Sequence, residues 1–185
     1  MIYLNDDIAH FDFEASLPLL SSQRREQALK FKHEQGRRTS AAAYLLLCQG
    51  LREEYAIGEP PLFIYGEHGK PEIVGHPDIH FNLSHCSEAA ICVISNRPVG
   101  VDIESIRQYK ESLARYTMND REMQQILAAP EPDVAFIRLW TMKEAVLKCS
   151  GHGLVDDMKT VLTGREQITT VVNRERGYVF SWVMA

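Results

Sequence analysis

The sequence predicts an α+β protein built as two α/β lobes with antiparallel sheets, and three observations carry that expectation. Apolar residues run or alternate over short stretches such as "IHFNLS", "AAICVIS" and "YVFSWVM", the pattern of strands with a buried face. Alanine- and leucine-rich stretches with helical spacing, "RRTSAAAYLLLCQGLREEYAI" and "AFIRLWTMKEAVLKCS", are grouped between those strands and do not alternate with them one for one. The order strand, helices, strands and then helices, strands divides the chain into two stretches of comparable makeup, 1–104 and 105–185. No sequence repeat is strong enough to prove a duplication.

Taken in order, "MIYLN" reads as an opening strand. "SLPLLSSQRREQALKFKHEQG" reads as a helix that starts near Ser21 or Ser22 and stops by Gly36, followed by a second helix from Arg37. The connection "GEPPLFIYGEHGKPEIVGHPDI" holds too many Gly and Pro residues for a helix and should form turns around short edge strands. Two strands follow, then the turn "NRP" leads into a third, "VGVDIE". The ND and PEP punctuation splits the next region into helices over 118–129 and 133–149, and the tail returns to "QITTVVN" and "YVFSWVM" around the turn "RERG".

Composition excludes several function classes. The 185 residues contain no apolar run long enough for a membrane span, and the N-terminus has neither a basic region nor an apolar signal core, so a cytoplasmic protein is expected. A net charge of −5 argues against general nucleic-acid binding. Cysteines 48, 86, 92 and 149 lack metal-knuckle spacing, and reduced, mostly buried thiols are expected.

In "GVDIE", Asp102 and Glu104 point to one face of a strand while Val101 and Ile103 point to the other. Taken alone, such a pair is as consistent with a solvated strand end as with a site. Glu144 shares a helix face with Trp140 and Lys148, at one turn to either side. Glu144 and Lys148 could be an ordinary surface ion pair, but Trp140 on the same side predicts that this face is covered.

Four stretches together carry a resemblance. "GKP" at Gly69 to Pro71, "FNLSH" at Phe81 to His85, "GVDIE" at Gly100 to Glu104 and "WTMKEAVLK" at Trp140 to Lys148 resemble, in order, the signature of the 4'-phosphopantetheinyl transferases of the compact monomeric kind. That resemblance implies two related lobes about a pseudo-twofold, with the active site in the cleft between them. It implies that Asp102, Glu104 and Glu144 hold Mg²⁺ on the pyrophosphate of coenzyme A, oxygen ligands that suit a hard cation. Glu144 is then the candidate base toward a carrier-protein serine, directly or through water, and Lys148 meets charge on the transferring phosphate. Arg24, Arg38 and Thr39 are implied at the 3'-phosphate, Lys70 and Pro71 against the adenine, and Ser84 and His85 at the mouth of a loop, His85 on a coenzyme phosphate, with Asn82 supporting the turn. A basic face on the early helix and a Gly-Lys-Pro turn also have bland readings, since Glu26 and Glu34 interleave with the cations and such turns are common.

The chain departs from the family pattern at Gln27, where some relatives carry a lysine, at Cys86 and at Thr141. "GHGL" from Gly151 resembles the glycine-rich turn after the long helix, with Gly151 in the left-handed conformation. Lys143, next to Glu144, is expected either on the phosphate or carrier side or in solvent. An apo acyl or peptidyl carrier is the implied partner, and Arg107, Lys110, Arg115, Tyr116, Met118 and Met123 could receive it, unless the two methionines pack the lobe. Two other functions compete with transfer: a noncatalytic coenzyme A or carrier-binding module, and another magnesium phosphotransferase. The intact carboxylate set argues against the first, and the missing P-loop together with the ordered motifs argues against the second.

Overall fold

A computed structural model describes residues 1–66, 68–151 and 157–185. The elements follow in the order β1 (Ile2–Asn5), α1 (Phe13–Ser16), α2 (Ser22–Leu29), α3 (Glu34–Tyr55), β2 (Phe63–Tyr65), β3 (Pro71–Ile73), β4 (His80–His85), β5 (Ala90–Ser95), β6 (Val99–Ser105), α4 (Glu111–Thr117), α5 (Asp120–Ala128), α6 (Pro132–Ser150), β7 (Ile168–Asn173) and β8 (Tyr178–Met184). Pairing is antiparallel in a three-stranded sheet of order β1-β5-β4, a hairpin β2-β3 and a second three-stranded sheet of order β6-β8-β7.

These elements stack as helix, sheet, sheet, helix. Ala90, Cys92 and Ile94 of β5 join the core under α3, while Ile91 and Val93 point the other way, onto Val99, Val101 and Ile103 of β6 and Phe180 of β8. The even residues of β6 therefore turn toward α6. At Gly100 the two elements nearly touch: a Cβ there would lie 2.0 Å from the Ala145 carbonyl oxygen and 2.4 Å from the Cys149 nitrogen. Because β6 pairs with β8 from Val99 to Ser105, the expected division after Glu104 would cut the second sheet off from its first strand.

The first sheet touches that strand through side chains. The Val101 N–H donates to Asn82 Oδ1 at 2.9 Å and the Ile103 N–H to Ser84 Oγ at 3.2 Å, each 19 residues apart. A constant offset means that β4 and β6 run parallel, with side-chain oxygens taking the place of a backbone ladder. Asn82 thus serves the neighbouring strand and not a turn, and Ser84 and His85 lie within β4 itself.

Two helix expectations need correction. The early helix stops at Leu29, and Gly36 lies in the first turn of α3. The Phe31 ring folds onto that turn, where a Cβ on Gly36 would sit 2.7 Å from Phe31 Cδ1, so the glycine permits a close contact and does not end a helix. Between Ser105 and Pro132 an additional helix, α4, appears ahead of α5; extended backbone at Met118 separates them, and an Asn119–Glu122 capping box starts the second. Gly151 ends α6 at φ +72°, as expected, and the rest of the "GHGL" turn lies outside the described residues.

Candidate active site

The strand β6 and the helix α6 bring their functional side chains to one place. Lys148 Nζ lies 2.5 Å from Asp102 Oδ1 and 3.1 Å from Ser84 Oγ, and the Ser84 hydroxyl donates to the same carboxylate oxygen at 2.9 Å. Asp102 is only 4% exposed, and its Oδ2 is buried with no hydrogen-bond partner among the described residues. Glu104 and Glu144 are half-buried beside it. Burial first, and then the Asp102 charge, raise both of their carboxyl pKa values above the ordinary range. Next to this cluster is a cavity of about 250 Å³ walled by Gly69, Lys70, Pro71, Asn82, Glu144 and Lys148.

A family model described as the 4'-phosphopantetheinyl transferase superfamily matches residues 98–184, the stretch from β6 to the last strand. The 4'-phosphopantetheinyl transferase HetI of Nostoc is 32% identical over 160 residues, 80% of this chain and 67% of that one. The chain belongs to the 4'-phosphopantetheinyl transferase superfamily. Sfp of Bacillus subtilis is 28% identical over 156 residues, covering 83% of this transferase and 70% of Sfp. AcpT of Salmonella typhimurium is 38% identical over 101 residues, about half of each chain.

Within the transferase, the remaining expected site residues fall into separate groups. His85 is exposed at the end of β4; partial desolvation, then the nearby cations Arg24 and Lys148, lower its pKa below the ordinary imidazole value. Arg24 donates to Ser40 O and Oγ and to Gln27, and stacks over Tyr44, with Nε unpaired among the described residues. Arg38 instead lines a different cavity, of about 490 Å³, and donates to Ala9 O and Glu34. The buried Thr39 turns its hydroxyl back to the Gln35 carbonyl. Pro71 walls the cavity beside α6, but the Lys70 ammonium turns to three backbone carbonyls, Val99, Lys148 and Cys149.

Two readings of individual residues change here. Lys148 is paired with Asp102 across the sheet-helix seam, not with Glu144 one turn away. Lys143 is neither in solvent nor on a phosphate side. It is fully buried, 2.8 Å from Glu122 Oε2 and 2.7 Å from the Met158 carbonyl. Sequence reasoning missed Glu122, whose only signal was the capping box formed with Asn119. Met118 and Met123 pack a core with Ala114, Ile126 and Phe136. The exposed part of that region is a groove of about 350 Å³ lined by Glu104, Arg107, Tyr109, Leu113, Phe136 and Trp140, next to the carboxylates.

Proposed function

We propose that this transferase moves the 4'-phosphopantetheine arm of coenzyme A to a serine of an apo acyl or peptidyl carrier protein. Adenosine 3',5'-bisphosphate is released, and Asp102, Glu104 and Glu144 hold magnesium. The observation that carries the reading is the meeting of those carboxylates with Lys148 and Ser84 at the seam of β6 and α6. The donor set fits a hard cation, since the groups are carboxylates, Asp102 Oδ2 is a buried oxygen without a partner, and charge crowding already disfavours ionised Glu104 and Glu144. Among the described residues no three ligand side chains yet converge into a closed metal cluster, and Lys148 neutralises Asp102 as the side chains stand.

When bound, magnesium would polarise the phosphoryl oxygens and offset the charge of the pyrophosphate. The protein supplies the other parts. Glu144 takes the proton of the carrier serine, whose oxygen forms a bond to the phosphorus nearest the pantetheine. The bond from that phosphorus to the bridging oxygen breaks, and the Lys148 ammonium meets the charge left on the departing phosphate. Arg24 and His85 face the same neighbourhood and suit the donor's phosphates, while Arg38 and Thr39 would need to contribute from the first turns of α3. Pro71 and the backbone of its turn would wall the adenine. The groove under Arg107, Tyr109 and Leu113 suits a helix of an acidic carrier, with Lys110 on its rim.

No helix among the described residues is long and apolar enough to cross a membrane. Burial pushes the thiols of Cys48 and Cys86 up to about 11, so both stay protonated near neutral pH. A monomer would suffice, because strand and helix of one chain assemble the site. The deciding experiment incubates the protein with coenzyme A, Mg²⁺ and a panel of apo acyl and peptidyl carriers. A mass gain of one phosphopantetheine on a carrier serine is expected, and no gain with any of them, with or without Mg²⁺, would overturn the reading.

A further inference from the structure

One side chain of the β2-β3 turn reaches the two elements that carry the site. Lys70 Nζ donates to the carbonyls of Val99 at 3.3 Å, Lys148 at 2.8 Å and Cys149 at 2.9 Å. Val99 opens β6, the strand of Asp102 and Glu104. The other two carbonyls lie in the last turn of α6, where helix geometry leaves them without intrahelical donors and the helix dipole is negative. An ammonium has three hydrogens to donate, and all three are directed at protein carbonyls. The lysine stem crosses Gly151, where a Cβ would come within 3.1 Å of Lys70 Cδ.

We propose that Lys70 is a positioning residue: it clasps the start of β6 to the end of α6 so that Lys148 reaches Asp102, and it does not hold the donor through its charge. The clasp deepens the transferase reading, and only the kinetic half of its test rests on that reading.

The test compares the wild type with Lys70→Met, which keeps the stem and loses the donors, and with Lys70→Arg, which restores a cation. Hydrogen exchange of the amides at 146–151 is measured beside steady-state transfer to an apo carrier. For Lys70→Met we expect exchange in that turn to speed up by about tenfold or more, and kcat to fall by about tenfold with KM for coenzyme A within about twofold. Lys70→Arg should recover part of both. A KM that rises with kcat preserved would make Lys70 a donor contact and overturn the clasp, and so would unchanged exchange in Lys70→Met. Should Lys70→Met fail to fold, Lys70→Arg decides: faster exchange at 146–151 with a lower kcat and an unchanged KM for coenzyme A supports the clasp, and unchanged exchange or a selective rise in KM overturns it. If even the wild type transfers nothing, the function falls, while the exchange measurement still decides the clasp.

Discussion

Lys148 holds Asp102 at 2.5 Å in the place where a positive charge is most needed among three carboxylates. A cation in that position competes with any other cation for Asp102. Lys148→Met should therefore tighten Mg²⁺ binding measured by calorimetry without coenzyme A, while transfer falls by roughly two orders of magnitude. Weaker Mg²⁺ binding in this variant would show that the lysine does not compete for the site. Asp102 is also more deeply placed than a strand-end ligand would be, so Asp102→Ala leaves the half-buried Lys148 ammonium with the Ser84 hydroxyl but without its carboxylate, and carries a cost in stability as well as in rate. The Lys143–Glu122 pair makes a different claim at the same scale. Both groups are buried and the Lys143 ammonium also donates to the Met158 carbonyl, so removing either partner alone should cost roughly 3–5 kcal/mol in denaturant unfolding. The double change Lys143→Met with Glu122→Leu should recover much of that loss, and an additive double mutant would deny the coupling.

The helix α6 and the strand β6 work as one element pair, and Gly100 sets their separation. With Ala145 and Cys149 backbone atoms 2.0 and 2.4 Å from a would-be Cβ, neither side can yield by rotating a side chain. Gly100→Ala should therefore push the helix off the strand, costing about 1–3 kcal/mol or more as overpacking, and lower transfer beyond what the lost stability explains. A thermal melt beside turnover at a temperature where the variant is folded checks this; unchanged rate in the folded variant would show that the spacing is not critical. Thr141 belongs to the same contact, because its hydroxyl meets Ser181 of β8 at 2.8 Å. A serine keeps that hydroxyl, which explains why the departure from the family pattern at this position is mild.

Across the whole molecule, the crowded carboxylates tie stability to pH. Glu104 and Glu144 have folded pKa values above the ordinary 4.5, with burial as the first cause and Asp102 as the second. The folded state then binds more protons than the unfolded chain between 4.5 and the raised values. The stability these groups contribute is complete below 4.5 and is lost as pH rises through their folded values. Melting temperatures from pH 4.5 to neutrality should show a smaller decline for Glu144→Gln than for the wild type. Mg²⁺ should offset the decline in the wild type, since a cation favours the ionised carboxylates. Identical curves for the two proteins would remove Glu144 from the cluster.

The short apolar strands β4, β5 and β8, the capped start of α2 at Ser21 and the glycine stop of α6 were legible in the sequence, because each is a local preference written within a few residues. So was the facing of Asp102 with Glu104, which follows from the period of a strand. Glu144 and Lys148 were legible as one helix face, and the four ordered motifs carried the family. The tertiary structure decided the partners. Lys148 met Asp102 and not Glu144, Lys143 went into the core with Glu122, and Lys70 turned to the end of α6. It also decided that Gly36 starts a helix where local rules would end one. The physical reason is common to these cases: a long cationic side chain or a glycine has weak local preferences, so its place is set by which buried carboxylate, open carbonyl or close neighbour the packed elements bring within reach.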